Sequence, residues 1–169
     1  MKDTETMRVG IVVERRRIDH PWQEYAWRPV AVIPGAPDAE GWPVLYRDDR
    51  CTRYLAGTLA IELFPKETED YSYNLSQRVP VVYVVLRRNE GPGEHPFKAF
   101  RATICPSEAR DRLESGEDIV EGVAMPEAIA AWVRDYIARH PAETSFQKRR
   151  RKPRDPGAAA GGAGGSDRG

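Results

Sequence analysis

The chain has 169 residues, of which 40% are hydrophobic and 31% charged, and its 26 basic residues balance its 26 acidic ones. This composition is typical of a globular domain, and no apolar run approaches the roughly 20 residues that a membrane span needs. Because the N-terminus lacks the apolar core of a signal peptide, we expect a cytoplasmic protein. Two isolated cysteines in such a reducing compartment predict free thiols.

The balanced total hides two segments of opposite charge. Residues 1–147 hold 19 basic and 24 acidic residues, whereas residues 148–169 hold 7 basic and 2 acidic ones. From Pro153 onward Gly, Ala and Pro dominate, and such a segment buries too little apolar surface to offset its chain entropy. We therefore predict three parts: a flexible N-terminus at 1–7, a single domain at 8–145, and a basic segment with a disordered Gly/Ala-rich tail at 146–169.

Alternating apolar residues predict strands in the first two thirds of the chain, at 8–18, 30–35, 52–64, 81–88 and 97–105. The segment 81–88 is rich in valine and apolar on both faces, so we expect it at the centre of the sheet. In the loop after the second strand, Trp42, Val44 and Leu45 are expected to return to the core. Gly57 predicts a bulge or bend in its strand.

Helical patterns follow the strands. Residues 106–116 begin at Pro106, and residues 126–140 place an apolar stripe on one helix face, formed by Ile129, Trp132, Val133, Tyr136 and Ile137. A brief strand at 117–125 and a turn of helix near residues 71–75 are further expectations. The predicted fold class is α+β: a curved, mainly antiparallel sheet of four to six strands followed by two helices packed on it.

The sequence contains few residue patterns that indicate catalysis or cofactor binding. His20, His95 and His140 are isolated, and no paired cysteines or histidines stand at metal-ligand spacing. His95 lies in a turn and is expected to face solvent. No Gly-rich segment joins a strand to a helix as phosphate-binding loops do. We therefore predict a protein that is not an enzyme, without catalytic residues, metal or cofactor.

Cys105 is the candidate nucleophile. It precedes Pro106 at the start of a helix, where the helix dipole could lower the pKa of the thiol. The alternative, which we favour, is a small half-buried residue that fills the end of a strand. An enzyme with a dispersed site around Cys105 stays open as a lesser hypothesis.

The loop at residues 20–29 holds the candidates for partner binding. Large aromatic side chains close to an arginine suit a protein-contact site, and these residues are Trp22, Tyr25, Trp27 and Arg28. The structural alternative, which we weigh more heavily, is that Trp27 covers the core and Trp22 plugs the end of a barrel.

Four segments together carry a family resemblance: "RVGIVVERR", the pair of tryptophans followed by "PVAVIPG", "SEARDRLESGEDIVEGVAMPEAIAAWV" and "FQKRRRK". They resemble a small proteobacterial family of unknown function, over residues 8–152. The resemblance implies an association with gene clusters for molybdenum-dependent formate dehydrogenase and its maturation. The family has no assigned catalytic residues, so the resemblance identifies none in this chain.

Within that pattern the basic run follows an aromatic residue, which suggests an anchored peptide. Its candidate contact residues are Phe146, Lys148, Arg149, Arg150, Arg151 and Lys152. A partner could supply the acidic surface, or the chain itself could, through Glu108, Asp111, Glu114, Glu117, Asp118 and Glu121.

Two functions are then compared. The first is a non-catalytic accessory or assembly protein that binds a formate dehydrogenase subunit or a maturation factor, as the resemblance implies. The second is a nucleic-acid-binding module that uses the basic C-terminal run and the "ERRR" stretch at residues 14–17. The acidic body of the chain disfavours the second.

Overall fold

A computed structural model describes residues 3–88, 95–114 and 118–141. In these ranges the chain forms, in order, β1 (Glu5–Arg17), β2 (Tyr25–Pro34), β3 (Val44–Arg47), β4 (Cys51–Leu63), a 3-10 turn (Pro65–Glu67), α1 (Thr68–Leu75), β5 (Val81–Arg88), β6 (Phe97–Thr103), α2 (Pro106–Leu113), β7 (Asp118–Ala124) and α3 (Glu127–Arg139).

The strands form two antiparallel sheets. The first has the order β2-β1-β4-β3 and the second the order β6-β5-β7. The sheets meet where β4 contacts β6 and where β2 contacts β7. Alternate residues of the two central strands fill one shared core, among them Val9, Ile11, Val13, Val82, Val84 and Leu86.

The predicted α+β class is confirmed, and the structure adds a division that the strand pattern does not show. The predicted single sheet is two sheets, because the helical connection after Leu63 carries the chain away from β4. The strand β5 therefore pairs with β6 and β7 and not with the first sheet. Two helices, α1 and α2, also lie between strands, so of the helices in the described residues α3 alone follows the last strand. The predicted irregularity at Gly57 is confirmed, since the register of β1 against β4 shifts there.

The helix α3 buries the stripe that its sequence predicts. Ile129, Val133 and Tyr136 are fully buried, while Trp132 and Ile137 are partly buried against the same core. None of the helices in the described ranges combines the length and the apolar character needed to cross a membrane.

The buried side chain of Asn74 joins α1 to the second sheet. Its Oδ1 accepts a hydrogen bond from the Val81 N–H at 3.0 Å, and its Nδ2 donates to the carbonyl oxygens of Val81 at 2.8 Å and Ile104 at 2.9 Å. A buried amide group is stabilising when its donors and acceptor are paired in this way. Asn74 thereby fixes the start of β5 against the end of β6.

The strand β1 begins at Glu5, within the segment predicted as a flexible N-terminus. The Glu5 carboxylate accepts hydrogen bonds from Arg139 at 2.6 Å and from the indole N–H of Trp132 at 3.0 Å. The Tyr136 hydroxyl donates to the carbonyl oxygen of Asp3 at 2.7 Å. These contacts with α3 extend β1 beyond its apolar residues, which explains the earlier start.

Replacing Glu5 with alanine is expected to lower the free energy of unfolding by about 1 kcal/mol, because a charge-assisted contact between two partly exposed groups is lost. Urea denaturation at neutral pH measures the change. The matched control is Glu127→Ala, whose partner Arg134 lies on the exposed face of the same helix. We expect that control substitution to lower the free energy of unfolding by about 0.5 kcal/mol or less. Equal losses in the two variants would contradict the tie between β1 and α3.

Candidate interaction surface

The turns that close two hairpins lie at the same end of the first sheet. Arg17 pairs with Tyr25 across β1 and β2, and Arg16 pairs with Cys51 across β1 and β4. The Arg17 N–H also donates to the carbonyl oxygen of Arg50 at 2.9 Å. We call this region, residues 14–28 and 46–53, the hairpin end. It brings the "ERRR" stretch and the aromatic loop together, although each was predicted as a separate site.

The buried carboxylate of Glu14 organises one face of the hairpin end. Glu14 is 1% exposed and lies 3.2 Å from Arg16, 3.1 Å from Arg53 and 4.0 Å from Arg28. Burial raises the pKa of Glu14, but the hydrogen bonds from Arg16 and Arg53 outweigh it, so the pKa lies below its usual value. The basic stretch is thus partly neutralised within the molecule.

Tyr25 and Trp27 lie on the opposite face, toward the core. The Arg15 guanidinium lies 4.3 Å from the centre of the Tyr25 ring, which is a cation–π distance. Trp27 packs against the rings of Trp42, Tyr54, Phe97 and His95. Trp27 therefore covers the core, as the structural alternative for this residue predicts.

His95 does not face solvent as its turn position predicts. Its ring stacks on Trp42 with centroids 4.2 Å apart and planes 12° apart. It also contacts Tyr54 edge-on at 5.2 Å. The prediction was wrong because the strand β6, which starts two residues later, brings this end of the loop back over the aromatic cluster.

Trp22 remains at the surface. Its side chain is 85% exposed, and its ring meets His20 edge-on at a centroid distance of 5.7 Å. It does not plug the end of the sheet, so the structural alternative is wrong for this residue. A large exposed aromatic ring on a tight turn is available for contact with a partner.

A second exposed apolar segment lies on β3, one of the two edge strands of the first sheet. Val44, Leu45 and Tyr46 are 47%, 48% and 49% exposed, and we call these three residues the apolar edge. Val44 and Leu45 were predicted to return to the core, and that prediction was wrong. Trp42 alone enters the core, after which the chain adds β3 to the edge of β4. A run of three apolar residues shows no alternation, so the sequence does not reveal its edge position.

The predicted contact residues of the basic run, from Phe146 to Lys152, lie outside the described residues. Of the acids proposed to receive that run, Glu108 is already paired with Arg101. The side chains of Glu117 and Asp118 also lie outside the described part of the chain.

Cys105 is buried and its thiol donates to the Asp70 carboxylate at 3.4 Å. Burial raises the pKa of Cys105 to about 11, and the neighbouring carboxylates of Glu67 and Asp70 act in the same direction. This opposes the effect of the helix dipole considered above and supports the structural interpretation. Within the described residues, no group of three or more His, Cys, Asp or Glu side chains is placed to hold a metal ion.

We expect Cys105 to react with iodoacetamide at pH 8 about 100-fold more slowly than the same thiol in the urea-unfolded chain, because its thiolate is scarce in the folded state. Peptide mass spectrometry separates Cys105 from Cys51 and measures each rate. A folded-state rate equal to that of free cysteine would restore Cys105 as a candidate nucleophile.

The chain is thus a two-sheet α+β protein with an exposed apolar edge and an arginine-rich hairpin end. The model of one protein family, described as "Protein of unknown function (DUF3305)", matches residues 8–150, and the chain belongs to that family. The predicted resemblance to a family of unknown function is therefore confirmed. No curated protein and no solved structure matches the chain.

Proposed function

We propose that this protein is a non-catalytic accessory protein that binds a partner protein through the apolar edge and Trp22. The observation that carries the proposal is the exposure of three consecutive apolar side chains on an edge strand. Exposed apolar edges favour pairing with another chain, and proteins that avoid such pairing usually protect them with charge or proline. Pro43 and Arg47 flank this edge, but its three central residues are neither charged nor proline.

Strand addition is the binding mode that this geometry supports best. β3 has β4 on one side and forms the border of the first sheet on the other. An extended partner segment would hydrogen-bond to the outer side of β3 and place its side chains against the apolar edge. Trp22, at the hairpin end of the same sheet, would supply an aromatic anchor.

The proposed identity of the partner rests on the family resemblance and not on the fold. That resemblance points to a formate dehydrogenase subunit or a maturation factor of that molybdenum enzyme, in the cytoplasm. The basic run from Phe146 to Lys152 would then add a second contact, through its positive charge.

A pull-down from lysate of the native host tests the proposal. The tagged full chain is compared with Val44→Lys/Leu45→Lys and with a variant that lacks residues 146–169. The matched control is Val79→Lys/Leu113→Lys, which changes two apolar residues of similar exposure elsewhere on the surface. We expect the full chain and the control to recover the same molybdoenzyme subunit or maturation factor, and the β3 variant to lose it. Recovery that is equal with all variants would contradict the proposed surface.

The hairpin end gives a second candidate, nucleic-acid binding, because it carries both several arginines and the exposed ring of Trp22. Arginine and a free aromatic ring are the elements that bind single strands. Fluorescence anisotropy with a labelled oligonucleotide should then show an affinity that falls steeply with salt. Binding that is absent, or that ignores salt, would eliminate this candidate.

A further inference from the structure

The hairpin end contains a cleft lined largely by arginines. Four line it: Arg15, Arg17, Arg47 and Arg50. Arg15 and Arg17 come from the end of β1, Arg47 from the end of β3, and Arg50 from the turn before β4. Two hairpins, distant in sequence, therefore direct positive charge into one concavity. Like charges gathered in this way raise the local affinity for an anion.

The carboxylates in the cleft do not neutralise these arginines. Asp48 and Asp49 also line it, which leaves two more positive than negative groups. Asp48 is occupied by the chain itself: it accepts hydrogen bonds from the N–H groups of Arg50 at 2.8 Å and Cys51 at 2.9 Å, and from the Tyr46 hydroxyl at 2.8 Å. These bonds lower the pKa of Asp48 to about 2, so it stays ionised and holds the turn in place.

Arg15 is the least exposed of the four arginines. Its Nε is buried. Among the buried side-chain nitrogen and oxygen atoms of the described residues, it alone has no hydrogen-bond partner. The side chain is held in position by the Tyr25 ring at 4.3 Å. Arg15 therefore contributes a positive charge at a fixed place in the lining of the cleft.

The size of the cleft limits the ligand. Its volume is about 130 Å³, the space of roughly four water molecules. That space accommodates a tetrahedral oxyanion but does not enclose a whole nucleotide. Guanidinium groups bind such oxygens in pairs with good geometry, which suits a cleft with several arginines.

We propose that the cleft formed by Arg15, Arg17, Arg47 and Arg50 binds a phosphate-type oxyanion, either free or as one group of a larger molecule. The guanidinium N–H groups that line the cleft donate to the oxygens of the anion. This site is separate in chemistry from the apolar edge, so it does not depend on the proposed partner binding.

Titration of the full chain with inorganic phosphate at constant ionic strength tests the site. The readout is the NMR signal of the Arg15 Nε–H, which we expect to shift and to saturate. The variant Arg47→Gln/Arg50→Gln removes two surface charges and should weaken binding about tenfold or more. The control Arg78→Gln/Arg134→Gln removes two exposed arginines elsewhere and should leave the affinity unchanged. A signal that does not saturate, or equal weakening in both variants, would overturn the proposal.

A second arm identifies the source of the phosphate group. A short single-stranded oligonucleotide is added to the phosphate-saturated chain. A move of the Arg15 signal away from its phosphate-saturated position would support a nucleic-acid phosphate as the ligand of this site. Retention of the phosphate signal would support a free small oxyanion.

Discussion

Replacing Trp42 with alanine is expected to lower the free energy of unfolding by about 3–5 kcal/mol, which is the cost typical of removing a buried indole. Trp42 is 4% exposed, stacks on His95, and contacts Tyr54 at 5.5 Å and Trp27 at 5.9 Å between ring centroids. Removing it leaves a cavity where the loop enters β3. Urea denaturation, followed by far-UV circular dichroism, measures the loss.

The backbone at Trp42 provides a sharper comparison. Its φ is 55°, a left-handed value that side chains other than glycine rarely adopt. Glycine is usually less stable than alanine because it loses more entropy on folding. At this position the strain on alanine offsets that cost, so Trp42→Gly is expected to be at least as stable as Trp42→Ala. A Trp42→Ala variant within about 1 kcal/mol of the parent chain would contradict the packing account.

The exposed ring of Trp22 is the control for this prediction. Trp22→Ala removes the same indole from a position outside the core, so its stability should stay within about 0.5 kcal/mol of the parent chain. Because the Leu55 N–H donates to the Pro43 carbonyl oxygen at 2.9 Å, Trp42 lies directly before the anchored start of β3. Loss of Trp42 is therefore expected to loosen the apolar edge as well.

The second large effect concerns the buried carboxylate of Glu14. In the double variant Arg16→Ala/Arg53→Ala, Arg28, at 4.0 Å, is the one cation of the described residues that stays within ion-pair distance of this carboxylate. Breaking a buried ion pair by removing the partners is strongly destabilising, and we expect a loss of about 3 kcal/mol at pH 7. This value is at the low end for such pairs, since Arg16 and Arg53 are each 44% exposed.

The pH dependence of the loss follows from the pKa of Glu14. In the folded chain this pKa is lowered, so the ionised carboxylate stabilises the fold above its unfolded pKa. The stabilisation is lost as pH falls through the folded pKa. The difference between the parent chain and the double variant should therefore shrink between pH 7 and pH 3. A difference that stays constant over that range would contradict the role of Glu14, and Arg134→Ala, whose partner Glu127 is exposed, serves as the control.

Sequence patterns located most of the elements that set up the candidate surface. The alternation in 52–64 and the apolar run 81–88 gave strands that the structure has at Cys51–Leu63 and Val81–Arg88. The stripe of α3 was likewise predictable, because a helix period of 3.6 residues is visible from Ile129 to Ile137. Local periodicity is enough to predict a helix or strand that packs against the core through one of its faces.

The apolar edge and the arginine cleft depend on contacts between distant residues. Glu14 reads as one charge in a basic stretch, yet its burial depends on Arg53, which is 39 residues away. Val44 and Leu45 are as apolar as core residues, and only the position of β3 at the border of the sheet exposes them. The order of strands in a sheet is not encoded in local pattern, so neither feature follows from the sequence.

The central claim is that a partner segment adds to β3. Amide hydrogen exchange of residues 44–47, measured with and without the purified partner recovered by the full chain, tests it most directly. The account predicts that those of these amides that point away from β4 exchange at least about tenfold more slowly in the complex, because strand addition gives them hydrogen-bond partners and excludes water. A complex that forms with unchanged exchange in β3, and with protection only elsewhere in the chain, would contradict it.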